Sequence, residues 1–178
     1  PEIFHSCRIR EVVGAAQRLQ QLKPAQRLNL VGFSLGGNFC MRVGARAAEA
    51  GLELEQVVAV CPVLDPEHTL VRLERGWALY RQYFVWKWRR SLRRKQAAWP
   101  QLYDLSEALE LDNLTDMTDH LVCKYGGYPS LAEYLHGYAI VDDALASLVH
   151  PTRIISSADA PIIPASELSR IAQPHALP

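Results

Sequence analysis

The pentapeptide Gly32-Phe33-Ser34-Leu35-Gly36 is the stretch of this chain best suited to chemistry. A serine flanked at two positions on either side by glycine fits a sharp strand-to-helix turn that lifts its hydroxyl clear of the chain. The glycines are expected there because side chains would collide with the strand behind and the helix ahead. A helix that starts just after the serine offers unpaired N–H groups and the positive end of its dipole. The backbone N–H of Leu35 is the one placed to hold a developing oxyanion. The implied chemistry is nucleophilic attack by the Ser34 hydroxyl on a carbonyl carbon. A bare Gly-x-Ser-x-Gly also occurs as a structural glycine-rich turn. Context favours the nucleophile: an apolar strand precedes it, a small-faced helix follows, and a second buried strand comes about one helix later.

A serine nucleophile needs a base and an acid that orients the base. At a turn of this kind the chain order is serine, then aspartate or glutamate, then histidine. Asp159 lies in Ser157-Ala158-Asp159-Ala160-Pro161-Ile162-Ile163-Pro164, just past the last strand, and is the first candidate acid. Asp65, past the preceding strand, is the alternative, since its strand end faces the same crevice. Each also reads as a turn-forming aspartate before proline. The base is harder to place. Only His175 follows Asp159, with too little chain between them for a helix and another strand, so it reads as a surface residue. His5, His68, His120, His136 and His150 come in the wrong order or fall in a helical insertion. The expectation is a catalytic histidine beyond residue 178.

The elements that would position these groups alternate. Residues 11–22 put Val12, Ala15, Ala16, Leu19 and Leu22 on one helical face, and Lys23-Pro24 ends that helix. Leu28-Asn29-Leu30-Val31 reads as a strand. A helix is expected from Asn38 to Ala50, with Arg42, Arg46 and Glu49 on a charged stripe and Gly51 as its cap. Val57-Val58-Ala59-Val60 reads as a fully buried strand. Residues 67–150 are mostly helical in pattern, with turns at Trp99-Pro100, Gly126-Gly127 and Tyr128-Pro129. A strand pattern returns over Thr152–Ser157, followed by a helix from Pro164 to about Ala172. Such alternation predicts an α/β fold with a parallel sheet covered on both faces. Residues 1–66 and 151–178 would form the core, and 67–150 a helical cap or lid over one end.

Composition narrows the classes. The 178 residues carry 19 basic and 19 acidic side chains and are 49% hydrophobic, so no global charge draws the chain to nucleic acid or an anionic membrane. No apolar run approaches the ~18 residues that span a bilayer, and no signal-peptide pattern opens the sequence. The 4 cysteines form no Cys-x-x-Cys pair, so neither a metal site nor any cofactor is expected, and a reduced, cytoplasmic protein is the default. The chain starts at Pro1 without methionine and stops after a helical pattern that lacks its strand, which reads as a fragment.

One local exception stands out. Trp86 to Lys95 holds 6 basic residues in 10. Read as a helix from Leu79, it places Tyr80, Phe84, Trp88 and Leu92 on one stripe. A solvated lid helix, peripheral contact with anionic lipid through 79–95, and a nucleic-acid patch all fit that pattern, in that order of preference. No nucleic-acid partner is expected, and the oligomeric state does not follow from the sequence.

Taken together, Phe4-His5-Ser6, Leu30-Val31-Gly32-Phe33-Ser34-Leu35-Gly36-Gly37-Asn38, Leu114-Thr115-Asp116 through Asp119, Tyr125-Gly126-Gly127-Tyr128 and Ser157 to Pro164 carry a resemblance. Over nearly its whole length the chain resembles the YheT-like hydrolases of bacteria and their eukaryotic α/β-hydrolase-domain relatives. The resemblance implies a partial α/β-hydrolase fold and hydrolysis of carboxylic esters, from short- or medium-chain acyl esters to acylglycerols, by a Ser-Asp-His charge relay. Ser34 matches the family nucleophile. Relatives usually carry Asp-Asp-Pro where this chain has Asp159-Ala160-Pro161, so Ala160 stands where the acting aspartate is expected. Asp159 one position earlier, Asp65, or a damaged relay are the alternatives. A damaged relay would leave a hydrolase fold kept as a binding module. The family's Gly-Gly-His would lie after Pro178 and its His-Gly oxyanion loop before Pro1, so this chain alone is expected to be inert.

Overall fold

The structure is a computed structural model that describes residues 2–171, so His175 and the end of the expected last helix lie outside the described residues. The described elements run α1 (Ile9–Leu22), β1 (Leu28–Phe33), α2 (Leu35–Gly44), β2 (Leu54–Val60), α3 (Pro66–Arg75), α4 (Ala78–Ala98), α5 (Ser106–Glu110), α6 (Leu114–Tyr125), α7 (Leu131–His136), β3 (Thr152–Ile155) and a 3-10 helix (Ala165–Arg170). They divide between two compact units.

The sheet unit comprises Phe4–Pro66 and, among the described residues, His136–Ile171. Its 3 strands pair in parallel in the order β1-β2-β3, with Phe33 beside Val60 and Val60 beside Ile155. All three strands therefore end at the same edge of the sheet. Parallel strands joined through helices bury their middle member, and β2 is rich in Val and Ala for that reason. Val57 and Ala59 are fully buried, packed with Met41 and Val43 of α2 and with Ile140, Leu145 and Leu148.

Those last three residues place 136–150 with the sheet, not with the helical insertion to which the sequence reading had given it. The Ile140 N–H donates to the Leu64 carbonyl, and the Ser147 hydroxyl to that of Ala45. No regular helix or strand forms between His136 and Thr152, so periodicity gave no sign of which unit these three apolar anchors join.

Three helical stretches in this unit differ from expectation. α1 turns Ile9, Val12, Val13 and Ala16 to the core and leaves Leu19 and Leu22 exposed. Its last turns face the 50–53 segment through amides instead: Gln17 donates to the Ala50 carbonyl, while Gln20 donates to Gly51 and accepts from the Glu53 N–H. α2 stops at Gly44, not Ala50. Beyond it the bonds tighten, Arg46 N–H to Val43 and Ala47 N–H to Gly44, and Gly51 closes the run at φ +64°. The stretch after Pro164 is a 3-10 helix and not an α-helix.

The helical unit comprises residues 2–3 and Glu67–Leu135. Val85 and Leu92 of α4 pack with Tyr103, Leu105, Ala108, Leu114, Met117 and Leu121 into its own core. Asn113 caps α6 by accepting from the Asp116 N–H at 2.8 Å, and Glu74 accepts from the Thr115 N–H at 3.0 Å.

Candidate functional site

Ser34 occupies the single residue between the end of β1 and the start of α2. Its backbone sits at φ 52°, ψ −120°, a region that L-residues with a side chain enter at a cost of about 1–3 kcal/mol. The strain is held by three hydrogen bonds. The Ser34 N–H donates to the Val60 carbonyl at 2.9 Å, and the Ser34 carbonyl accepts from Asn38 at 3.1 Å and from Val63 at 3.2 Å. The bend is thus clamped from β2 and from the first turn of its own helix. The side chain is exposed, and no described residue hydrogen-bonds its hydroxyl.

The neighbouring glycines do different work. A Cβ on Gly32 would overlap the Gly36 carbonyl and the Gly37 nitrogen, and one on Gly37 would come to 3.0 Å from the Pro62 Cβ. At Gly36 a Cβ meets nothing within 4 Å. The expected collision therefore holds behind the serine and at Gly37, but not at Gly36. Leu35 is the first residue of α2, and among the described residues no acceptor takes its N–H. That amide is free to face an anion.

Asn38 and Arg42 brace this turn from beneath, a role the sequence reading missed. Asn38 is fully buried, and its amide donates to the Val63 carbonyl at 2.9 Å and the Tyr138 carbonyl at 2.8 Å. Arg42, expected on a charged outer stripe, is only 5% exposed. Its guanidinium donates to the Ser6 carbonyl and to Asn38 Oδ1 and lies over the Phe39 ring. The available signal was an Arg four residues after an Asn, one helical turn apart.

The two candidate acids follow β2 and β3 at the same sheet edge as Ser34. Asp159 lies four residues past the end of β3 and is exposed. Its carboxylate accepts from the Ser157 hydroxyl, and that bond, with one from its own backbone N–H, holds its pKa below the ordinary 3.8. Asp65 is buried and ion-paired with Arg170. No described hydrogen bond joins the Asp159 carboxylate to Ser34 or to a histidine. Burial pushes the Cys40 thiol up, and none of the 4 cysteines is in a disulfide. Among the described residues there is no cluster of His, Cys, Asp and Glu able to hold a metal ion, and no helix long and apolar enough to cross a membrane.

No protein-family model and no curated protein sequence matches the chain. The crystal structure of a serine hydrolase from the polyaromatic-hydrocarbon-degrading bacterium Cycloclasticus zankles superposes on 100% of it, with a TM-score of 0.55 at 18% identity. The chain spans 64% of the length of that protein. With its parallel sheet, flanking helices and a helical segment between β2 and β3, the chain has a partial α/β-hydrolase fold.

Proposed function

We propose that the intact protein is a serine hydrolase of carboxylic esters, in keeping with the YheT-like resemblance, and that Ser34 is its nucleophile. The observation that carries this reading is the strained bend at Ser34, φ 52°, beside the unengaged N–H of Leu35. A fold keeps a conformation of that cost when surrounding bonds over-determine it, and such strain clusters at active sites.

In this reading the Ser34 hydroxyl attacks the ester carbonyl while a histidine outside the described residues takes its proton. The Leu35 N–H stabilises the tetrahedral oxyanion. The alcohol departs with the proton from the histidinium, and water then frees the acyl group by the same steps in reverse order. Asp159 is the preferred partner of that histidinium. It is exposed past the end of β3, whereas Asp65 is already paired with Arg170. The substrate class is short- or medium-chain acyl esters or acylglycerols.

A fluorophosphonate probe on the intact protein tests the reading, because it phosphonylates only an activated serine. Labelling that disappears with Ser34→Ala supports it. A second reading, a hydrolase fold retained for binding, draws on Ala160 and on the engagement of Asp159 by Ser157. Absence of labelling on the folded, intact protein favours that alternative.

A further inference from the structure

We propose that the outward face of α4 docks on an anionic phospholipid bilayer. The helix carries 7 basic residues and no acidic one over its 21 positions. Arg81, Arg89 and Lys95 turn back to the carbonyls of Glu74, Leu111 and Glu2 within the helical unit. Lys87, Arg90, Arg93 and Arg94 are exposed and meet no carboxylate among the described residues. Four uncompensated cations on one face complement an anionic surface and nothing acidic on their own helix.

The same face is apolar toward its N-terminal end. Trp77 is 78% exposed, Leu79 65% and Trp86 51%, with Tyr83 beside Trp86 at 6.2 Å between ring centroids. The inward stripe, Val85 and Leu92 with Phe84 and Trp88, already fills the unit's core, so these outer rings are surplus to folding. Exposed aromatics and cations therefore share one side of the helix, the rings weighted toward its N-terminal half and the cations toward its C-terminal half. Trp and Tyr suit the headgroup boundary of a bilayer, and Lys and Arg bind the lipid phosphates around it.

A single nucleic-acid strand is the competing occupant, since it too seeks cations and aromatic rings. The ring geometry disfavours it. Lys87 already lies over the Tyr83 ring at 5.6 Å and Arg90 over the Trp86 ring at 5.5 Å. A base would have to displace a cation from each of those faces to stack there, whereas insertion at a lipid boundary keeps the pairs intact.

The test is sedimentation of the intact protein with vesicles of phosphatidylcholine alone or with about 30% phosphatidylserine. Binding should be at least about tenfold tighter to the anionic vesicles and should weaken with salt. Combined Lys87→Gln, Arg90→Gln, Arg93→Gln and Arg94→Gln should cut it by about 100-fold or more, at roughly fivefold per charge. The corresponding Arg→Lys set should retain it. Leu79→Ser with Trp86→Ser should also release the protein, and since all these positions are exposed, unchanged thermal unfolding shows the fold is intact. Equal binding to both vesicles, no binding, or binding to an oligothymidylate in preference to anionic vesicles would each overturn the proposal.

Discussion

The Val63 amide donates to the carbonyl oxygen of Ser34 at 3.2 Å, tying the segment after β2 to the bend after β1. Asn38 reinforces the tie by donating its side-chain amide to the carbonyl of the same Val63. One residue thus meets both the strained serine and the first full turn of the following helix. The conformation of Ser34 is a tertiary product, held by a neighbouring strand end as much as by its own glycines.

Strain at Ser34 should be measurable as stability. Ser34→Gly removes a cost of about 1–3 kcal/mol and adds about 0.5–1 kcal/mol through the greater freedom of glycine in the unfolded chain. The net expectation is a gain of about 1 kcal/mol, with Ser34→Ala close to neutral because alanine keeps a Cβ at the same φ. Urea unfolding of the two variants checks this. Equal midpoints would mean that the bend is not strained.

The glycines of the motif should behave unequally. Gly32→Ala drives a Cβ into backbone atoms of Gly36 and Gly37 that cannot swing aside, and a loss of about 1–3 kcal/mol or more is expected. Gly36→Ala enters open space in a helix and should leave stability unchanged or raise it by up to about 1 kcal/mol. Denaturation midpoints of the pair decide it, and a larger loss at Gly36 contradicts the geometry.

Removal of the Asn38 amide should loosen the bend as well as the core. Asn38→Ala strands the buried Val63 carbonyl, the half-buried Tyr138 carbonyl and one Arg42 bond, at about 1–3 kcal/mol. If Asn38 positions the serine, fluorophosphonate labelling of the still-folded variant should slow, while accessibility of Ser34 is unaltered. Labelling at the original rate would confine Asn38 to a packing role.

Asp159 should titrate below 3.8, and Ser157→Ala should raise it toward that value by removing the largest cause of the shift. Because its folded pKa is depressed, the associated stabilisation is present above the unfolded pKa and is lost as pH falls through the folded one. Carboxyl NMR of the two proteins reads the change directly. A Ser157→Ala protein with an unmoved Asp159 would place the cause elsewhere.

The choice of acid is open to kinetics. Asp159→Asn in the intact protein should slow acylation by about 10³- to 10⁴-fold with little effect on stability. Asp65→Asn leaves Arg170 without its buried partner and should lower the unfolding midpoint while sparing much of the labelling rate. The reverse pattern would assign the relay to Asp65.

What the sequence determined by itself was local. The Gly-x-Ser-x-Gly spacing, the apolar runs over Leu28–Val31 and Val57–Val60, and the alternation of helix and strand were enough for a parallel α/β fold and for the bend at Ser34. Each of those follows from neighbours within a few residues. Tertiary structure alone decided which face of α1 is inward, that Arg42 is buried against Ser6 and Asn38, and that Ile140, Leu145 and Leu148 belong to the sheet unit. It also decided that Gly36 stands in open space and that Asp65 is held by Arg170 from 105 residues away. Spacing along a chain records periodicity, but burial and pairing depend on which distant segment arrives on the other side.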